Sequence, residues 1–132
     1  MTELEIVEPG LCATLQDGGR YGWQRYGISP SGAMDPVALR LANALVGNHH
    51  PLGAIELALI GLQAILHGRS TRVAVAGASC SVTINGRAMP ILTAHQLEDG
   101  DRLVIGPMRD GARAYVAFAG GSGITPILSL MK

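Results

Sequence analysis

Aromatic residues and lysine are almost missing from this chain. Only 4% of its 132 residues are aromatic, with one Trp and one Phe, so the core must rest on Val, Ile, Leu and Ala. Basic charge is nearly all arginine, and Lys+Arg balance Asp+Glu at 10 each, for a formal net charge of +0. No basic cluster stands out, which argues against a nucleic-acid partner. Cysteine is sparse as well. Cys12 and Cys80 fit no metal-binding or redox spacing and read as reduced, buried thiols of a cytosolic protein. No apolar run approaches the roughly 18 residues of a membrane span. The most apolar stretch, "AIELALIGLQAIL" at 54–66, carries Glu56 and Gly61. The opening "MTELEIVEPG" has acids where a signal peptide has bases. A cytoplasmic protein with one real core is the expectation.

What the chain does contain is glycine and alternation. "LEIVEPG" and "LCATLQD" read as two strands around Pro9-Gly10, and a long irregular stretch, 18–34, follows. Residues 35–46, "DPVALRLANALV", then predict a helix. Asp35 suits the N-cap and Pro36 the first turn, where its missing N–H costs nothing. Ala38, Leu41, Ala42 and Leu45 recur at helical spacing, and Gly47 supplies a left-handed stop. Beyond the helix, Ile55, Leu57 and Leu59 alternate with Ala54, Glu56 and Ala58. A helix would also suit 54–66 by composition, but the alternation favours a hairpin around Gly61. "RVAVAG", "CSVTING", "EDGDRLVIG" and "RAYVAFAG" continue as strands, with Asn85-Gly86 a strong hairpin signal. The expected fold is mostly β, a barrel or sandwich with one early helix.

Chemistry concentrates in the glycine-rich loop, which holds Gln16, Asp17, Arg20, Tyr21, Trp23, Arg25, Tyr26, Ser31 and Gly32. Aromatic walls with a few polar groups suit a small-molecule pocket. Arg20 or Arg25 suits a carboxylate or phosphate clamp, and Ser31, Gly32 and the first helical amides suit an anion cradle. Ordinary punctuation is the competing reading: Asp35 caps, Ser31 turns, and the aromatics cover one end of the fold. Capping is the expected task of Asp35 in either case. Glu56, among apolar neighbours, either lies on an outer face or meets a polar pocket. His49, His50, His67 and His95 lack metal-ligand spacing, so no metal is expected. At the other end, Gly120, Gly121 and Gly123 followed by Thr125-Pro126 suggest a strand, a loop and the start of a helix.

The segments "QDGGRYGWQRYGI", "SGAMD", "ANALVGN", "AIEL" and "GARAYVAFAGG" resemble the biotin-dependent carboxyltransferase family, over residues 7 to 121. That family includes the C subunit of 5-oxoprolinase, KipA and the carboxyltransferase part of urea amidolyase. The resemblance implies a cyclophilin-like β-barrel and partnership with the A and B subunits of 5-oxoprolinase, the B one being KipI-like. The implied activity is ATP-dependent opening of 5-oxoproline to glutamate. Transfer of a carboxyl group from carboxybiotin to urea, or a non-catalytic KipA-like role antagonising a kinase inhibitor, are its alternatives. The motif carries over Gln16, Asp17, Arg20, Gly27, Ser31, Gly32, Met34 and Asp35 as the signature site, with Asn43, Asn48 and Glu56 beside it. Arg20 and Glu56 are the expected catalytic residues, as anion clamp and acid/base. Gln16, Asp17, Tyr26, Ser31, Gly32, Met34, Asn43 and Asn48 are the expected substrate-binding residues. Family members are much longer, so the chain reads as a truncated or fused version. Its last residues, 122–132, depart from the pattern and are similar to the nicotinamide-binding loop of ferredoxin reductase-like proteins. So short a tail gives NAD little weight.

Overall fold

The computed structural model describes residues 2–8, 14–15, 35–48, 54–120 and 124–128. Its elements, in chain order, are β1 (Thr2–Glu8), β2 (Thr14–Leu15), α1 (Pro36–Leu45), β3 (Ala54–Ala58), β4 (Leu62–His67) and β5 (Thr71–Ser79). They continue as β6 (Val82–Ile84), β7 (Arg87–Met89), β8 (His95–Leu97), β9 (Arg102–Ile105), β10 (Asp110–Phe118) and β11 (Ile124–Leu128). The fold is mostly β with one helix, as the alternation predicts. Among the described residues the sheets are not closed into a barrel: the strands form a 6-stranded sheet, β11-β1-β4-β9-β6-β7, and a 5-stranded sheet, β2-β3-β10-β5-β8. Pairing is antiparallel except between β1 and β11.

The molecule is layered by its two apolar faces. Leu4, Ile6, Leu62, Leu66, Leu103 and Ile105 of the larger sheet meet Ile55, Leu57, Val73, Val75, Val116 and Phe118 of the smaller one. On the other side of the smaller sheet, α1 lies over Ala54, Ala74, Ala76 and Ala117. Alanine paving lets the helix approach the sheet closely, and Tyr115 is the aromatic side chain set into that surface. Both faces of β3 are therefore covered, and every residue from 54 to 58 is buried.

The helix starts and stops as the sequence predicts. The Asp35 carboxylate accepts the Ala38 N–H at 3.1 Å, Pro36 occupies the first turn, and Gly47 has φ +86°. Its buried face differs from the expected one. Leu41 is 42% exposed, and Leu39, Asn43 and Val46 are buried with Ala38 and Ala42. Leucines lie on several sides of this helix, so spacing alone did not single out the side that the alanine-lined sheet receives. The carbonyl of Val46 at the C-terminal end is capped from β5, by Arg72 Nη2 at 2.8 Å.

Two further expectations are corrected. β3 and β4 both exist but do not pair as a hairpin: β3 lies between β2 and β10, and β4 between β1 and β9. Their apolar residues must face each other across the inter-sheet core, so the reversal at 59–61 crosses between sheets. Gly61 permits the crossing, since a Cβ there would lie 1.6 Å from the Ile105 carbonyl oxygen. At the other end, the expected helix start at Thr125-Pro126 is strand β11, parallel to β1. An edge strand tolerates a proline that cannot donate to the ladder. The Asn85-Gly86 turn forms as expected, with φ of 53° and 81°. Positive φ at both central positions is what a tight type I′ hairpin requires.

Candidate functional site

The site is built where α1 begins above the smaller sheet. In the β3–β10 register Tyr115 stands directly opposite Glu56, and Arg113 opposite Ala58. Alternation along β10 puts Tyr115 and Ala117 under the helix, while Ala114, Val116 and Phe118 enter the inter-sheet core. Tyr115 is 0% exposed and Glu56 5% exposed. The Tyr115 hydroxyl donates to Glu56 Oε2 and accepts the backbone N–H of Asp35 at 2.8 Å. One phenol thus ties a buried carboxylate to the residue that caps the helix. Arg113 completes the group, with Nε 3.9 Å from Glu56 Oε1.

Burial, followed by the hydrogen bond to Glu56, raises the Tyr115 pKa far above that of a free phenol, so the hydroxyl keeps its proton well into the alkaline range. Beside it opens a cavity of about 480 Å³, lined by Asp35, Gly77, Ala78, Asp110, Gly111, Ala112 and Arg113. Asp110 accepts the Ser79 N–H at 2.7 Å, and that bond, first among its causes, lowers its pKa. The cavity wall therefore carries two carboxylates and the Arg113 guanidinium. Such a wall can hold a small polar molecule by charge-assisted hydrogen bonds.

Of the residues expected from sequence, Glu56 stands inside this group. It meets a polar surround, not an outer face. Asn43 and Asn48 lie at the far end of the helix, in a clasp. Asn48 Nδ2 donates to Asn43 Oδ1 at 2.7 Å and to the Phe118 carbonyl at 3.1 Å, while its Oδ1 accepts from Gly120 N at 2.9 Å. Asn43 Nδ2 donates to the Leu39 carbonyl at 3.1 Å. Gln16, Asp17, Arg20, Tyr26, Ser31, Gly32 and Met34 lie outside the described residues, and so does the expected meeting of Arg20 with the Ser31-Gly32 amides.

Tyr115 and Arg113 were not singled out from sequence. The available signal was their shared face on β10, where a phenol and a guanidinium interrupt a run of small apolar residues. Two of the histidines pair within the fold. His67 Nε2 lies 2.7 Å from Glu5 Oε1, and His95 Nε2 lies 2.8 Å from the Pro90 carbonyl oxygen. Cys80 is a free, buried thiol whose pKa is raised by burial, which makes it a poor nucleophile. Among the described residues no group of His, Cys, Asp and Glu could hold a metal ion, and no helix is long and apolar enough to cross a membrane.

Comparison with known proteins adds the family. Residues 26–129 match the model of the carboxyltransferase domain, subdomain A and B. The chain is 39% identical to a urea amidolyase of Lachancea kluyveri over 94% of its own length and 7% of that protein's. It is 36% identical to the C subunit of 5-oxoprolinase from Escherichia coli, over 95% of its length and 40% of the relative's. The crystal structure of the K. lactis urea amidolyase superposes with a TM-score of 0.78 at 37% identity, covering 89% of this chain and 7% of that one. The chain thus spans less than half the length of each of these relatives. With the family model matched over residues 26–129 and 31–39% identity to five curated relatives, the chain belongs to the carboxyltransferase family, in its subdomain A and B region.

Proposed function

We propose that this chain is part of a protein like the C subunit of 5-oxoprolinase, working with the A and KipI-like B subunits in ATP-dependent opening of 5-oxoproline to glutamate. The observation that carries this reading is the Asp35–Tyr115–Glu56–Arg113 group beside an open cavity. It sits in a chain 36% identical to the C subunit of the Escherichia coli 5-oxoprolinase. Opening the lactam adds water across its C–N bond, which places a hydroxyl on the carbonyl carbon and a proton on nitrogen. The amide is stable, so coupling to ATP drives the step, and the nucleotide is expected on the partner subunits.

The residues of this chain would bind and orient the amide. Arg113 supplies positive charge at the cavity, and Asp35 and Asp110 supply acceptors for an N–H. Glu56 is buried and bonded to Tyr115 and Arg113, a placement that suits it to holding both in position. The acid/base role expected for Glu56 stands beside this positioning role as part of the same proposal.

The 39% identity to a urea amidolyase favours a second reading, carboxyl transfer from carboxybiotin to urea. One reconstitution separates the two. The chain is combined with relatives of the A and B subunits, and glutamate is measured with 5-oxoproline and ATP. In parallel, carboxylated urea is measured with carboxybiotin and urea. Glutamate above the level given by the partners alone supports the proposal, and carboxylated urea alone supports the second reading. Complex formation with neither product would mean a binding role and overturn both.

A further inference from the structure

Among the described residues the cavity has one cation in its lining, Arg113, and the chain goes to some length to place it. Pairing of β10 with β5 slips between Asp110 and Ala114: Asp110 faces Ser79 and Ala114 faces Gly77, so four steps along β10 match two along β5. The β3 side of β10 continues in register through Arg113. The extra residues form a bulge over 111–113, a device that re-aims a side chain next to a site. Glycine stands on both strands at this point. Gly111 has φ +72°, and Gly77 has φ +113°, where a Cβ would lie 2.6 Å from the Arg113 carbonyl oxygen.

The bulge leaves the Arg113 guanidinium half anchored. Nε faces Glu56 at 3.9 Å, and Nη1 donates to the Ala112 carbonyl at 3.3 Å. Its side chain is 32% exposed, and it lines the open cavity. A guanidinium has five N–H donors in a planar fork, and among the described residues the Nη2 group has no partner. Asp35 and Asp110, on the same wall, each already accept one backbone N–H and keep lone pairs for another donor. A planar cation beside acceptors complements a small molecule that carries a carboxylate next to an N–H.

We propose that Arg113 is the carboxylate-binding residue of this cavity, held by Glu56 and the β10 bulge, and that its ligand is a small carboxylate with an adjacent amide N–H. The proposal deepens the reading of the site as one for 5-oxoproline, and it rests on that reading for the ligand's identity. In 5-oxoproline the carboxylate sits on the carbon bonded to the lactam nitrogen. Urea has no carboxylate and would leave the fork unmatched.

The test titrates the isotope-labelled chain with 5-oxoproline and with 2-pyrrolidinone, the same lactam without its carboxylate, and follows backbone amide shifts. Shifts are expected at Gly77, Gly111, Ala112 and Arg113, with 5-oxoproline binding about tenfold or more tightly, the scale of one charge-assisted contact. Arg113→Gln should bring the ratio of the two affinities close to one. Arg113→Lys, which keeps the charge and loses the fork, should give an intermediate ratio and serves if the Gln variant does not fold. Equal affinities in the unsubstituted chain, an unchanged ratio in the variants, or no shift at these residues would overturn the assignment. Glutamate production with an unchanged KM for 5-oxoproline in Arg113→Gln would sink this inference alone. A persistent carboxylate preference without glutamate production would sink the 5-oxoprolinase reading alone.

Discussion

Removing one oxygen atom, with Tyr115→Phe, isolates the contact that links helix, sheet and buried carboxylate. The ring is 0% exposed and keeps its packing in the variant. Two hydrogen bonds disappear: the one given to Glu56 and the one taken from the Asp35 N–H. A hydrogen bond to a charged group contributes about 1.5–3 kcal/mol and a neutral one about 0.5–1.5, so the expected loss is about 2–4.5 kcal/mol. Urea denaturation at neutral pH reads it as a lower midpoint at an unchanged slope. The same phenol gives a pH signature. Below pH 10.0, the ordinary phenol value, Tyr115 is protonated both folded and unfolded, and its contribution is complete. Above that the unfolded phenol ionises while the buried one holds its proton, so stability falls by up to about 1.4 kcal/mol per pH unit. Tyr115→Phe should lose that part of the alkaline decline. A stability change under about 0.5 kcal/mol at neutral pH, with the alkaline decline intact, would refute the reasoning.

Other substitutions probe the surrounding frame. Asp35→Ala removes the cap on the Ala38 N–H and should cost about 1 kcal/mol in thermal or urea denaturation, with Asp35→Asn close to neutral. Leu57→Ala opens a cavity between the sheets, where Leu57 is 0% exposed, and should cost about 2–5 kcal/mol by the same measurement. Gly61→Ala drives a methyl group into the Ile105 carbonyl. It should destabilise by about 1–3 kcal/mol or more, and a melting temperature equal to the parent's would contradict the crossing described at 59–61. Asn48→Ala breaks the clasp to Asn43, Phe118 and Gly120. It should lower stability by about 1–3 kcal/mol while leaving the 5-oxoproline to 2-pyrrolidinone affinity ratio unchanged. A lost ratio would return Asn48 to the binding residues expected from the family motif.

The site was legible in part. Glu56 stood out because a carboxylate among Ile and Leu must be paired or exposed, and the fold pairs it. Its partners were not legible, because Tyr115 lies 59 positions away and becomes its neighbour only through the β3–β10 register. Arg113 was hidden for a different reason. Its aim depends on a bulge whose extra residues show only against the opposing strand. The helix face was misjudged at Leu41 because the receiving surface, Ala54, Ala74, Ala76 and Ala117, comes from three other strands.

By itself the amino-acid order determined the features that a few neighbouring residues can enforce. Asp35 and Pro36 begin the helix, Gly47 ends it, Asn85-Gly86 closes a hairpin, and alternation marks the strands. Each depends on backbone dihedrals and local hydrogen bonds, which are encoded nearby. Only the tertiary structure decided that β3 and β4 belong to different sheets, that residues 124–128 join β1 as a strand, and that Tyr115 bridges Glu56 to the helix start. Those outcomes depend on which apolar faces cover one another across the whole chain. Burial energy adds over area without regard to sequence distance, so no local stretch contains the answer.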